Sequence, residues 1–344
     1  MSVDMFDTRT MTRALEQMKP ARTFLRDTIF SDVETHVSRY VDIDIQKGNR
    51  RIAAYVSPKL QGKTVRREGF ETETYEAPYT KEKMITTATE LQTRPMGMDM
   101  YSGAMTPSEM AQRQLGKDLR ELDERITRLE EVQCSELIQT GKVTVVGDGV
   151  DREIDFGMDA THLPALVGTA KWDDLDDSDP IANLRDWVDI IAQDSGLVAR
   201  RAIFGKAAMR NFLRNESVQS LLDNRRIVMG QIDPSTFAPG VRYWGHLNEA
   251  GLDVFEYTEW YYSESTSQEE PMIDPDKVVM WGEGARVTRH YGAIQDLKAG
   301  INFVGARFAK SWEEDDPSAR LVMVQSAPLC ALHQVDAFLC ATVQ

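Results

Sequence analysis

Between residues 106 and 140 the chain repeats apolar side chains at a spacing that a long helix places on one side. Leu115, Leu119, Leu122, Ile126 and Leu129 recur at intervals of three and four, and Val132, Leu137 and Ile138 carry the stripe on, turned slightly around the axis. Thr106-Pro107-Ser108-Glu109 reads as a capping box with proline at the first helical position, where its missing N–H costs nothing, and Gly141 supplies a C-terminal stop. At 1.5 Å per residue the helix is about 50 Å long, as long as a small domain is wide. A fold containing it must offer an equally long apolar surface, either a coiled-coil seam or a sheet. Gln133 and Glu136 fall where the next seam residues belong, so the heptad fails and a helix laid across a sheet fits better.

The remaining bounds are looser. At 344 residues the chain is too long for one compact core and fits two domains, or one with large excursions. Hydrophobic residues at 42% and charged residues at 28% are ordinary for a chain that buries a core. The first residues mix charges with isolated apolar side chains, unlike a signal peptide, and no stretch has the apolar length of a membrane span. A formal charge of −15, from 55 acidic against 40 basic side chains, repels phosphate backbones, so the chain is not expected to grip nucleic acid by itself. Cys134, Cys330 and Cys340 are odd in number and lack CxxC spacing, which points to a reducing compartment, the cytoplasm, and away from a disulfide framework or a zinc site.

Residues 1–50 read as an arm: an amphipathic helix around Met11, Leu15 and Met18 ending at Pro20, an apolar cluster of Phe24, Leu25, Ile29 and Phe30, then the alternation Val41, Ile43, Ile45. These pieces are too short to bury one another and require a surface from elsewhere. In 59–90 a basic run, 62–67, is followed by the acidic alternation 70–76. The two are expected to pair as a hairpin with opposite charges facing, and, lacking an apolar face, to lie on another molecule or stay mobile. Beyond 140 the pattern is mixed. Strands are expected at 143–146, 154–156, 199–204, 241–244, 252–262, 278–281, 287–291, 321–324 and 337–343. Helices are expected at 181–193 and 206–222, and the polar run 263–270 reads as a hairpin tip.

Candidate chemistry is thin. Gly282-Glu283-Gly284 lacks a third glycine and a following helix, and reads as a turn. The five aspartates within 173–179 lack the glycine and terminal glutamate of a calcium loop and suit a solvated helix start. His36, His162, His246, His290 and His333 are scattered singly, none with a His or Cys at metal-ligand spacing. Arg200, Arg201, Lys206, Arg210 and Arg214 could meet phosphate, but with this net charge salt bridges to an acidic neighbouring copy fit better. No catalytic, cofactor or metal residue is expected. The arm, the hairpin and the long helix all ask for partners.

Several segments carry a resemblance. Tyr291-Gly292-Ala293-Ile294-Gln295-Asp296, Gly300-Ile301-Asn302, 306–312 and 324–329 are similar to the C-terminal part of the lambda-type major capsid proteins of tailed bacteriophages, the capsid protein E family. Tyr55-Val56-Ser57-Pro58, Lys171-Trp172 and Asp179-Pro180 add landmarks in the same order. The resemblance implies an α+β, Hong Kong 97-like fold: an N-terminal arm at 1–50, an extended loop with flanking strands at 51–105, a peripheral domain at 106–184 containing the spine helix, an axial domain at 185–285, and a return to the peripheral domain at 286–344. It implies pentamers and hexamers closing an icosahedral virion shell around double-stranded DNA, assembled in the bacterial cytoplasm, with separate scaffolding, portal and decoration proteins and no enzymatic role. Lys63, Arg66, Arg67, Glu71, Glu73, Leu119, Leu122 and Ile126 are the expected assembly residues. Some members of the wider fold crosslink through a loop lysine. Lys59, Lys63, Lys81 and Lys83 are present, but the lambda-type branch implies no crosslink, and an uncut chain is expected. The alternatives are a coiled-coil interaction module and an enzyme whose site assembles in space.

Overall fold

The computed structural model describes residues 6–18, 21, 23–45, 71–87, 107–147, 149–223, 227–228, 240–264, 266–316 and 318–344. The apolar stripe lies on one helix, Pro107–Thr140, of 34 residues. Thr106, the first residue of the expected capping box, falls outside the described residues. Gly141 ends the helix with φ +71°, its N–H donating to the Leu137 carbonyl at 2.8 Å; a Cβ there would stand 2.4 Å from the Cβ of Met158, so glycine is required twice over.

The two halves of the helix are buried against different surfaces. Leu115, Leu119, Leu122 and Ile126 pack with Met11 and Leu15 of the N-terminal helix Thr8–Gln17 and with Ala309, Val322 and Val324 of a sheet. That sheet runs Phe308–Asp315, Ser318–Ser326, Thr80–Thr87, all antiparallel. Further along, Cys134, Leu137 and Ile138 enter a larger core with Phe24, Leu25, Ile29, Phe30, Val41 and Ile43. At about 1.5–3 kcal/mol for each fully buried large aliphatic side chain, the stripe is a principal source of stability. Because these contacts fill it from the same chain, the coiled-coil alternative is corrected. Leu129 is also corrected: at 40% exposure it lies off the buried face.

The arm finds its surface within the chain. Val33–Thr35 adds a parallel strand to Val287–Tyr291, which pairs on its other edge with Pro328–Leu332. Tyr40–Ile45 alternates, with Val41, Ile43 and Ile45 inward, and pairs antiparallel with Glu71–Glu76. This corrects the hairpin expectation for its described part. The acidic strand has residues 40–45 as partner, and Thr72 and Thr74 donate to Asp44 and Asp42 at 2.6 Å. The Tyr75 ring packs at a tilt against Phe156, and Glu76 meets Arg39 at 2.8 Å and Arg152 at 3.1 Å. The strand therefore packs on its own chain, and the basic run 62–67 lies outside the described residues.

A six-stranded mixed sheet separates two cores. Its order is Phe338–Thr342, Lys277–Gly282, Ala199–Phe204, Leu252–Tyr257, Val241–Leu247, Ile227–Val228. Strand alternation sends Val279, Trp281, Ile203 and Phe338 to the core shared with the long helix, and Val278, Met280, Ala202 and Leu339 to the other. There Leu184, Trp187 and Ile191 of Pro180–Asp194 and Met209 and Phe212 of Lys206–Arg214 close over Trp172. Because Phe338–Thr342 pairs with Lys277–Gly282, the end of the chain crosses the division expected at 285.

Two expected elements break. The helix expected at 206–222 becomes Lys206–Arg214 and Glu216–Asp223, because Asn215 is extended, donating to the carbonyls of Leu175 and Ser178 while its Oδ1 accepts from Ser217. The strand expected at 252–262 splits into Leu252–Tyr257 and Trp260–Ser263; the second pairs with Gln268–Pro271, placing the polar tip where expected.

Leu122→Asp or Ile126→Asp is expected to prevent recovery of folded subunit, since each puts an unpaired charge where the wild-type side chain is 1% exposed. Soluble protein with native circular dichroism from either variant would contradict the packing described.

Candidate functional site

Glu130 and Glu131 lie in the C-terminal half of the long helix, at 0% and 1% exposure. A helix that runs between an arm and returning strands presents these two carboxylates to all of them. Glu130 Oε1 accepts from Arg307 Nη1 at 2.7 Å and from the Tyr291 hydroxyl at 2.9 Å; Oε2 accepts from Arg26 Nε at 2.8 Å, with Arg289 Nη1 at 3.8 Å. Arg307 also donates to Asp123 at 2.9 Å and to the Ser326 hydroxyl at 3.1 Å, and Arg289 to the Phe30 carbonyl at 2.7 Å. Burial alone would raise the Glu130 carboxyl, but Arg307 above all, with Arg26 and the Tyr291 hydroxyl, holds it below the usual carboxylate range.

Among the described residues Glu131 meets no guanidinium. It accepts from the backbone N–H groups of Phe24, Leu25 and Arg26 at 3.1, 2.9 and 2.8 Å and from the Tyr257 hydroxyl at 2.8 Å, capping the short helix Leu25–Thr28 from outside. Burial dominates, and its carboxyl is pushed up. The pair thus joins the arm, the strand Val287–Tyr291, the approach to Phe308–Asp315 and the six-stranded sheet to one turn of helix. It sets the position of each part of the subunit relative to the others.

The expected assembly residues divide. Leu119, Leu122 and Ile126 are 2%, 1% and 1% exposed and pack inside the subunit. Glu73 is exposed in the strand Glu71–Glu76, hydrogen-bonded to Tyr75. Glu71 contributes backbone opposite Ile45. Lys63, Arg66 and Arg67 lie outside the described residues. Lys81 and Lys83 are exposed on Thr80–Thr87, while Lys59 is outside the described part.

Other sequence features resolve simply. Gly282-Glu283-Gly284 turns between Lys277–Gly282 and Val287–Tyr291. Asp179 caps Pro180–Asp194 by accepting from Ile181 and Ala182 at 3.2 Å. Arg200, Arg201, Lys206, Arg210 and Arg214 are all exposed, and Arg200 reaches Glu283 at 3.2 Å. Cys134 and Cys330 place their sulfurs 3.2 Å apart in the core, where burial pushes the Cys134 thiol up; burial raises Cys340 to about 12. Large apolar side chains reach solvent at Leu297 (92%) and Ile301 (70%), flanking the turn between Ile294–Asp296 and Ile301–Phe303, and at Trp260 and Tyr262 on the hairpin strand. Sequence reasoning missed the carboxylate hub. Its signal was weak but present: two adjacent acids interrupt an apolar stripe, and Arg307 sits in the otherwise apolar run 303–309.

A sequence profile described as phage major capsid protein E matches residues 7–343. The major capsid protein of Enterobacteria phage P21 is 28% identical over 348 residues, covering 99% of each chain. That of Escherichia phage lambda is 26% identical over 346 residues, covering 98% of each. Among solved structures, one described as a prophage capsid protein from Escherichia coli CFT073 superposes with a TM-score of 0.75 at 19% identity, covering 98% of this chain and 99% of that one.

The hub makes a signed prediction. The folded-state pKa of Glu130 is lowered, so its contribution to stability is present above the ordinary carboxylate pKa and is lost as pH falls through the depressed value. Glu131, raised, works the other way, contributing below the ordinary value and losing it as pH rises through the raised one. Glu130→Gln removes the charge that three buried guanidinium groups share and should cost about 3–5 kcal/mol near neutral pH. The loss should shrink on acidification, when wild-type Glu130 also becomes neutral. Urea midpoints across pH for both proteins measure this; a constant difference at all pH values would contradict it.

Proposed function

The chain belongs to the phage major capsid protein E family, and from that premise we propose that its copies assemble as pentamers and hexamers into an icosahedral shell enclosing double-stranded DNA. It is a shell-forming head protein of the virion with an α+β, Hong Kong 97-like fold. The observation that carries the finer reading is the family match over residues 7–343 on a subunit whose long helix is fully occupied by its own arm and sheets. Contacts between copies must then use exposed surface, not that helix face.

The domain roles follow the same reading. Pro107–Thr140 serves as spine, with the peripheral domain built on it, and the six-stranded sheet with its covering helices serves as the body of the axial domain. Ile45 and Glu71 stand opposite each other, which brings the two ends of 46–70 together at the base proposed for the extended loop. Lys63, Arg66 and Arg67 would reach an acidic neighbouring copy, in keeping with the charge of −15. The same acidity lets DNA lie against the shell without binding tightly. Scaffolding, portal and decoration proteins would be separate chains, and assembly would take place in the host cytoplasm. Many modest interfaces, each weak alone, allow a closed shell to correct errors as it forms.

The apolar side chains at the turn between Ile294–Asp296 and Ile301–Phe303 supply one such interface. Leu297 and Ile301 are exposed in the subunit, so Leu297→Asp with Ile301→Asp should leave its melting temperature nearly unchanged while abolishing closed shells in negative-stain micrographs. Wild-type particles should run in denaturing electrophoresis as a monomer near 38.9 kDa. Normal shells from the double variant would remove this surface from the interface, and ladders of covalent oligomers would overturn the non-covalent assembly.

A further inference from the structure

The three-stranded sheet of Val33–Thr35, Val287–Tyr291 and Pro328–Leu332 carries a cluster that neither the carboxylate hub nor the exposed turn uses. Parallel pairing sets Glu34 opposite His290, and His36, two residues on, donates its backbone N–H to the Tyr291 carbonyl at 2.9 Å. Glu34 and His36 are two apart on one extended segment and share a face. His36 Nε2 stands 3.0 Å from His290 Nδ1, and Glu34 Oε2 stands 3.6 Å from that same nitrogen. One ligand-capable atom from each residue lies within 4.8 Å of the other two.

We propose that Glu34, His36 and His290 bind a divalent transition-metal ion of the zinc class, through two imidazole nitrogens and one carboxylate oxygen, with water in the remaining position. Tetrahedral ligands about 2.0–2.1 Å from an ion stand about 3.4 Å from each other. The separations of 3.0 and 3.6 Å bracket that value, so small side-chain adjustments suffice. His290 is 1% exposed, and its Nε2 has no hydrogen-bond partner among the described residues. Metal at Nδ1 would replace the direct contact between the two rings and set the His290 tautomer with its proton on Nε2.

His333 is a wall of the site and not a ligand. Its ring stands edge-on to His290 at 5.6 Å, while its nitrogens lie 2.9 Å from the Asp44 carbonyl and 3.0 Å from the Thr288 hydroxyl. The Glu34 side chain is 62% exposed and gives an ion a path from solvent. Two imidazoles with a single carboxylate favour zinc, nickel or copper over magnesium or calcium, which prefer oxygen ligands. Binding would clamp a three-residue strand of the arm, whose own side chains are exposed, to a strand more than 250 positions along the chain.

Cobalt(II) is the probe, because tetrahedral cobalt absorbs strongly in the visible where octahedral aqueous cobalt does not. Full-length protein stripped with EDTA and dialysed against cobalt should show a saturable tetrahedral spectrum at one ion per chain, displaced by zinc. His36→Gln and Glu34→Gln, both outside the apolar cores, should keep native circular dichroism and lose the spectrum. His246→Gln should retain it, although His246 also faces a carboxylate, Asp253 at 2.8 Å. The proposal is overturned if wild-type protein gives no tetrahedral spectrum, if the spectrum survives His36→Gln, or if it vanishes with His246→Gln.

Discussion

A buried carboxylate needs compensation, and Glu130 gathers its compensation from three distant parts of the chain. Arg26 comes from the arm, Arg289 from an internal strand and Arg307 from the approach to a C-terminal strand; all converge on one position of the long helix. Desolvating a single charge costs several kcal/mol, so none of these segments can leave without exposing an uncompensated charge in the core. Glu131, one residue on, fixes the arm by its backbone. Apolar packing gives the subunit most of its stability, while the two acids decide which segments meet.

That division matters for a protein that must assemble. A shell subunit needs a rigid body, because errors in its shape accumulate around a closed surface. It also needs interfaces that remain free until a neighbour arrives. The long helix meets the first need by spending its whole apolar face internally, on Met11, Leu15 and two sheets. The second need is proposed to fall to exposed turns such as the one bearing Leu297 and Ile301, which are 92% and 70% exposed. Substitutions on the helix and on the turns should therefore fail at different stages, folding in one case and closure in the other.

Periodic features were legible in the sequence. The long helix followed from Leu115, Leu119, Leu122 and Ile126, and the alternation of Val41, Ile43 and Ile45 marked a strand with one buried face. Local competition was harder to read: Asn215 ends a helix by bonding to residues 175 and 178, partners no helical period reveals. Leu129 fits the spacing yet faces solvent, since a helix packed on two surfaces in turn rotates its buried face along its length. Pairings between distant segments were not legible at all. Nothing near Val33 announces residue 289, nothing near His36 announces His290, and the acidic strand 71–76 looked suited to a basic neighbour in sequence when its partner was residues 40–45. The capsid family resemblance located Tyr291 and Arg307 in marked segments, but their common partner on the helix emerged from the fold.

The central claim is that the arm belongs to the core of each subunit before any neighbour is present, held there by Glu130 and Glu131. Hydrogen exchange on the unassembled subunit tests it most directly. The amides of Phe24, Leu25 and Arg26, which donate to Glu131, should exchange as slowly as those of the helix between 126 and 138. Free exchange across 24–36 alongside a protected helix would show that the arm docks only in the shell, and would contradict the account.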